Sequence, residues 1–310
     1  MLLLARLARG ASFRTRGVGL GVHARDWSTF GRLCELDPER RGVVLWEATS
    51  RPEMASVLAA AGFTVVAVPH NLEALVPQDA RPRTGLGARW QREADALANC
   101  EAVLTIAEDE AWLLRVAGVR ARWLPFLPPT TEHARLDRIR AARGASPPPP
   151  SAPFLVLGTC TNPPTRLGVE ALLEMIARIA PATPVRICGK GSESVRVPAQ
   201  ASDVQRLGRV DDETLDALRS ECRALLCYQA ATSGALTRVP EALAAGIPVV
   251  ANVDAARSWS FLEGVHVFED EGGLAGLLAE PLESVPEGVL AGLRPEQVLE
   301  SVLRPLGVLA

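Results

Sequence analysis

The sequence predicts an α/β protein made of two βαβ domains, each built on a parallel sheet, with a cleft between them. Short apolar runs alternate with helical patterns along the whole chain, as strand–helix–strand units require. That alternation stops at four consecutive prolines, Pro147 to Pro150, and then restarts. A length of 310 residues leaves room for two domains of ordinary size.

In the first half, strands are expected at 42–46, 63–68, 102–106 and 121–124, with helices at 51–61, 86–98 and 108–117. Gly62 and Gly118 close two of these helices, because glycine accepts the left-handed backbone of a helix end. The segment after Pro128 is polar and arginine-rich. Consecutive prolines neither continue a helix nor donate to a sheet, so 134–152 reads as a semi-rigid linker. It separates a domain of 1–133 from one of 153–310. Beyond it, strands are expected at 154–157, 185–188, 204–207, 224–227 and 265–268, with another opening at Val249-Val250. Helices are expected at about 167–179, at 211–221 with an acidic first turn that the helix dipole explains, and around Arg238 and Glu241. The tail is helical with breaks at Pro281, Pro286 and Pro295.

Apolar residues at 48% and charged residues at 22% describe a soluble globular chain. A formal charge of -3 and a pI near 5.9 argue against a dedicated nucleic-acid binder. Lys190 is the only lysine; the remaining positive charge is arginine. Six cysteines lack C-x-x-C spacing and histidine partners, so they read as buried thiols of a reducing compartment. No apolar run approaches the ~18 residues of a membrane span. Residues 1–25 carry Arg6, Arg9, Arg14, Arg16 and Arg25 ahead of the first acid, Asp26. A transit peptide, a degenerate first strand and peripheral contact with anionic head groups are the open readings of that segment. A cytoplasmic location is expected, with peripheral membrane contact left open; the oligomeric state is not visible.

The stretch from Tyr228 to Asn252 carries the most chemistry. After an apolar strand, the small-residue loop at Ser233-Gly234 feeds a helix bearing Arg238 and Glu241, which ends at Gly246. A loop of this kind offers free backbone N–H groups to an anion. Arg238 and Glu241 are three apart and share one helix face. One suits a phosphate and the other accepts from sugar hydroxyls, so the pair suits a nucleotide-sugar. A tight turn with a capping serine is the plainer reading, but such a turn does not need both residues. No Asp-x-Asp motif occurs, which disfavours a manganese-dependent transferase, and His23, His133 and His266 lack partners at ligand spacing. Trp90, Trp112 and Trp123 are expected to pack helices and a strand, whereas Trp259 is placed in a loop facing the cleft.

Four motifs follow in order: 156–166 (Val-Leu-Gly-Thr-Cys-Thr-Asn-Pro-Pro-Thr-Arg), 187–191 (Ile-Cys-Gly-Lys-Gly), 207–215 (Leu-Gly-Arg-Val-Asp-Asp-Glu-Thr-Leu) and 232–250. Together they make the second half resemble the nucleotide-sugar domain of GT-B-fold glycosyltransferases, in the large family-4-type retaining group. The first half resembles the acceptor domain through Val68-Pro-His-Asn-Leu-Glu73 and 98–110. The resemblance implies two Rossmann-like domains and transfer of a hexose-like sugar, with retention and without metal. The donor substrate is a nucleoside-diphosphate sugar, with no further cofactor, and the acceptor is an unidentified glycan, lipid or small molecule. It implies that Glu241 holds the donor ribose, that Arg238 and Arg166 share the diphosphate after the Thr161-Asn162 turn, and that Ser233-Gly234 forms the anion loop. It implies further that Gly189, Lys190 and Arg209 line the base and phosphate pocket, and that His70 lies near the transferred sugar. His70, Arg238 and Glu241 form the implied catalytic set. Ser233 stands where the first glutamate of the family's E-x7-E motif belongs, and Leu236 stands where one branch keeps an arginine. The usual glycine-rich loop is missing, Gly17-Val-Gly-Leu-Gly21 being the nearest match, and the first domain is short. A non-catalytic GT-B-like protein that binds a nucleotide or a partner is therefore the alternative.

Overall fold

The computed structural model describes residues 14–15, 18–19, 24–47, 53–76 and 85–308. The chain divides into two compact units, Met1–Pro125 with Pro295–Ala310, and Phe126–Arg294.

In the first unit, β1 (Arg14–Thr15) and β2 (Val18–Gly19) form a short antiparallel ladder. The rest of the Gly17 to Gly21 stretch lies outside the described residues. Helix α1 (Ala24–Leu36) then leads to β3 (Val43–Trp46), α2 (Glu53–Ala60), β4 (Thr64–Ala67), α3 (Leu86–Leu97), β5 (Ala102–Thr105), α4 (Glu108–Val116) and β6 (Ala121–Trp123). Strands β3 to β6 pair in sequence order, all parallel. Strand β5 is buried at every position, as a parallel strand covered on both faces must be. One cluster joins Phe30, Met54, Leu58, Leu72, Leu97, Val103 and Leu114.

A second cluster of this unit joins Val66 and Leu104 to Val302 and Leu303 near the end of the chain. The helix Pro295–Leu303 therefore packs on the first sheet, and Arg122 Nη1 donates to Ser301 Oγ at 2.7 Å. The sequence reading runs the second domain through to 310. The difference is one of burial, because the apolar face of this tail has its partners far upstream, at Val66 and Leu104, beyond the reach of local patterning.

The second unit opens with α5 (Thr130–Ala145), a sixteen-residue helix across much of the segment expected to be a linker. Leu136, Ile139 and Arg143 are buried on it. Its arginines made it look like solvent-exposed chain, yet they bond the unit's own carbonyls and carboxylates. Arg135 Nε reaches Asp216 Oδ1 at 2.6 Å, Arg140 Nε reaches the Ala244 carbonyl at 2.9 Å, and Arg143 Nη1 reaches the Cys222 carbonyl at 2.7 Å. There follow β7 (Phe154–Leu157), α6 (Pro163–Ile179), β8 (Val185–Cys188), β9 (Val204–Gly208), α7 (Asp212–Glu221), β10 (Leu225–Cys227), α8 (Arg238–Ala244), β11 (Val249–Asn252), α9 (Val253–Ala256), β12 (Val265–Phe268) and α10 (Glu271–Ala279). The sheet order is β12-β11-β10-β7-β8-β9, with every pairing parallel. The order of winding reverses between the parallel neighbours β7 and β10, where Leu155 pairs with Leu225. Phe154, Val156, Leu172, Leu173, Ile187, Leu226 and Val250 form the core beneath.

Two tryptophans differ from expectation. Trp112 is 59% exposed on the outer face of α4, whereas Trp259 is fully buried at 0% and belongs to the core. Trp123 does pack, with its Nε1 donating to the Ile106 carbonyl at 3.2 Å. All six cysteines are free thiols. Among the described residues, no helix is long and apolar enough to cross a membrane.

Leu303→Ala is expected to destabilise the first unit by about 2–4 kcal/mol through the cavity it opens. Hydrogen exchange should show lost protection in 102–105 and unchanged protection in 154–157; equal loss in both would contradict the unit assignment.

Candidate functional site

Open α/β sheets bind ligands beyond the carboxyl ends of their strands where the winding reverses. In the second unit that place is the end of β7 and β10. The backbone there is drawn together by glycine. A Cβ on Gly189 would run into the Gly158 carbonyl oxygen, and Gly189 has φ +135°, outside the range of ordinary side chains. A Cβ on Gly191, at φ +82°, would lie 2.9 Å from the Thr161 amide nitrogen. The turns after β7 and β8 therefore share one surface, and they bring Thr161 to the Gly189-Lys190-Gly191 turn. Asn162 precedes α6 but does not cap it with its side chain; its Nδ2 lies 3.3 Å from Thr165 Oγ1. Lys190 is exposed at this rim.

Arg238, the first residue of α8, donates from Nη1 to the Leu157 carbonyl, the last of β7. The same nitrogen would lie 3.0 Å from a Cβ on Gly158. Burial pushes up the thiols of Cys160 and, to about 11, Cys227, while the Arg238 charge opposes both shifts. Arg166, half-buried on α6, acts on Cys160 in the same sense as Arg238. Arg238 thus reaches the β7 end, and Arg166 lies in the first turn of the helix that follows β7. Ser233 is buried, and Gly234 turns with φ +84°. The Gly234 carbonyl accepts from Arg257 Nη2.

Glu241, one turn along α8, makes an ion pair that its spacing does not announce. Arg219 Nη2 of α7 lies 3.3 Å from its Oε2, the two side chains being 12% and 30% exposed. Burial raises the Glu241 pKa; Arg219 opposes that shift and Glu132 of α5 adds to it. Arg219 is the site residue that sequence reasoning missed, because the pair joins two helices 22 positions apart. Arg209 stands exposed just past the end of β9. Among the described residues, no group of three or more His, Cys, Asp and Glu is placed to hold a metal ion.

His70 belongs to the first unit, in the turn after β4. It is exposed, with Nε2 4.0 Å from Glu47 Oε2 beyond the end of β3. The following residues are pinned from below. Glu93 of α3, 3% exposed, accepts from the Glu73 amide at 2.8 Å (Oε1) and from the Ala74 amide at 2.7 Å (Oε2). Burial pushes the Glu93 carboxyl up to about 7, against its two amide bonds, with the charges of Glu73 and Glu110 adding to the rise.

No protein-family model and no curated protein matches the chain. Solved structures do match it. Sucrose-phosphate synthase from Thermosynechococcus elongatus is similar with a TM-score of 0.60 and 17% identity, over 90% of this chain and 76% of that one. HepE of Anabaena, solved in complex with UDP, has a TM-score of 0.60 and 14% identity over 91% and 84%. WaaG, a glycosyltransferase involved in lipopolysaccharide biosynthesis, has 0.55 and 15% over 97% and 93%. At these identities the likeness establishes the GT-B fold of the chain.

Gly189→Ala is expected to destabilise the second unit by at least about 2 kcal/mol, through strain and overlap together. Gly276→Ala, in α10 with nothing within 4 Å, should instead be neutral or stabilising by about 0.5–1 kcal/mol. Urea unfolding of both variants checks this contrast. A second expectation concerns pH. The folded chain holds Glu93's proton up to about pH 7, whereas the ordinary glutamate value is 4.5, so the folded state binds more protons between the two. First-unit stability should therefore fall by up to about 3 kcal/mol as pH rises through that window. Exchange protection of 102–105 at pH 5 and pH 8 measures it, and Glu93→Gln should flatten the difference.

Proposed function

We propose that the protein is a retaining, metal-independent glycosyltransferase of the family-4 type, using a nucleoside-diphosphate sugar to glycosylate a glycan, lipid or small molecule. The observation that carries this reading is the Arg238 guanidinium at the end of β7, at the reversal of the winding, with Arg166 beside the same turn. As the diphosphate leaves, negative charge grows on its oxygens. Fixed cationic donors aimed at that charge lower the barrier without reorganising at the moment of reaction. A guanidinium has five N–H donors, so the bond from Arg238 to Leu157 leaves others for phosphate.

Glu241 serves in this reading as acceptor for the pentose hydroxyls, fixing the donor along α8. Thr161, Asn162, Gly189, Lys190, Arg209, Ser233 and Gly234 supply the surrounding contacts to phosphate and base. His70 is assigned to the transferred sugar, as the family resemblance implies. The complex of HepE with UDP supports a nucleoside diphosphate as ligand class. The free thiols favour a reducing, cytoplasmic location.

Calorimetric titration with UDP, ADP, GDP and their sugars, followed by an assay for slow sugar release, tests the proposal. Glu241→Ala should weaken nucleotide-sugar binding by about 1–3 kcal/mol through lost hydrogen bonds to a half-buried carboxylate. Arg238→Gln should lower kcat by about 10²–10³ with a smaller change in KM. Binding without turnover or hydrolysis would leave the non-catalytic nucleotide-binding reading; no binding at all would remove both.

A further inference from the structure

Glu241 sits between two helices whose ends are held by a third. Arg143 Nη1 of α5 donates to the carbonyls of Arg219, Ser220 and Cys222 at 3.0, 3.1 and 2.7 Å, which are the C-terminal carbonyls of α7 and its cap. Arg140 donates to the carbonyls of Leu243 and Ala244 in the last turn of α8, Nε reaching Ala244 at 2.9 Å. Arg135 ties α7 again, through Asp216 at 2.6 Å and Asp212 at 3.3 Å. Cationic donors on helix carbonyls are favoured by the helix dipole. The Arg219–Glu241 pair then spans the two helices that α5 has anchored, and it engages only one carboxylate oxygen, Oε2.

We propose that Arg219 is a positioning residue of the donor site, orienting the Glu241 carboxylate toward the pentose from the anchored end of α7. The inference rests on the donor reading above and adds to it a residue from a separate helix. The Arg219 side chain is only 12% exposed and its backbone carbonyl is bonded by Arg143, which limits its freedom, whereas a lone glutamate on a seven-residue helix is free to choose among rotamers. The charges that act on Glu241 are Arg219 from α7, Glu132 from α5 and Arg238 from its own helix. Among the described residues, Arg219 is the one that forms an ion pair with it.

The test is a double-mutant cycle on the full chain, with UDP, ADP and GDP as probes and calorimetry as readout. Arg219→Leu should weaken the best-bound nucleotide about tenfold. In the Glu241→Gln background the same change should cost less than about twofold, because its effect passes through Glu241. Arg219→Lys keeps the charge and should recover part of the loss, with a melting curve to establish that each variant folds. Affinity should also fall on acidification as Glu241 protonates, and without Arg219 that fall should begin at a higher pH. Fully additive penalties, or an Arg219→Leu protein that binds as wild type with an unmoved pH profile, would overturn the proposal. If Arg219→Leu does not fold, the Arg219→Lys cycle decides in the same way. Wild-type protein that binds no nucleotide would instead remove the donor site, and the positioning role with it.

Discussion

Where β7 and β8 leave the second sheet, their turns come together with nothing but backbone between Gly158 and Gly189. That approach is possible because Gly189 lacks a side chain and adopts φ +135°, while the missing side chain of Gly158 leaves room for Thr165 and Arg238. The rest of the candidate site depends on it. The contact levels the carboxyl ends of two neighbouring strands into one floor, and Thr165 and Arg238 both press on Gly158 from above. A larger residue at Gly189 would separate the turns, and one at Gly158 would displace Thr165 and the arginine from the strand end. Steric exclusion therefore places the charge, and electrostatics acts on the result.

The second organising device is arginine used as a structural donor. With a single lysine in the chain, almost every cation is a planar fork able to bond several carbonyls at once. Helix α5 uses Arg143 and Arg140 to hold α7 and α8 at their C-terminal ends, and Arg135 to hold Asp212 and Asp216 nearer the start of α7. Buried arginine is costly unless its donors are satisfied, and here each lies against carbonyls or carboxylates that would otherwise need water. The result is a polar helix docked on a polar seam, with Leu136 and Ile139 supplying the apolar part of the contact. The same guanidinium chemistry occurs at α8, where Arg238 turns to the end of β7.

Much of the fold was legible because parallel strands covered on both faces read as short, largely apolar runs, and β4, β5, β7 and β10 are such runs. Glycine stops were legible for a local reason as well: Gly62 and Gly118 do adopt positive φ after their helices. What failed were inferences from polarity. The linker reading drawn from Pro147 to Pro150 was carried back over a polar, arginine-rich helix, because burial of arginine is decided by distant carbonyls. Trp112 was expected to pack and is exposed, and Trp259 was expected at a ligand face and is core. A tryptophan's side of a helix or loop depends on which neighbour arrives, and no local pattern states that.

The sequence by itself determined the α/β class, most strand positions and the pairing of Arg238 with Glu241 on one short helix, since periodicity and glycine placement act within a few residues. The tertiary structure alone decided that the last helix joins the first sheet, that Arg219 meets Glu241, and that α5 anchors α7 and α8. Each of those contacts joins groups far apart in the chain. Their energy depends on complementary surfaces that exist only after the chain has folded, so no local signal encodes them.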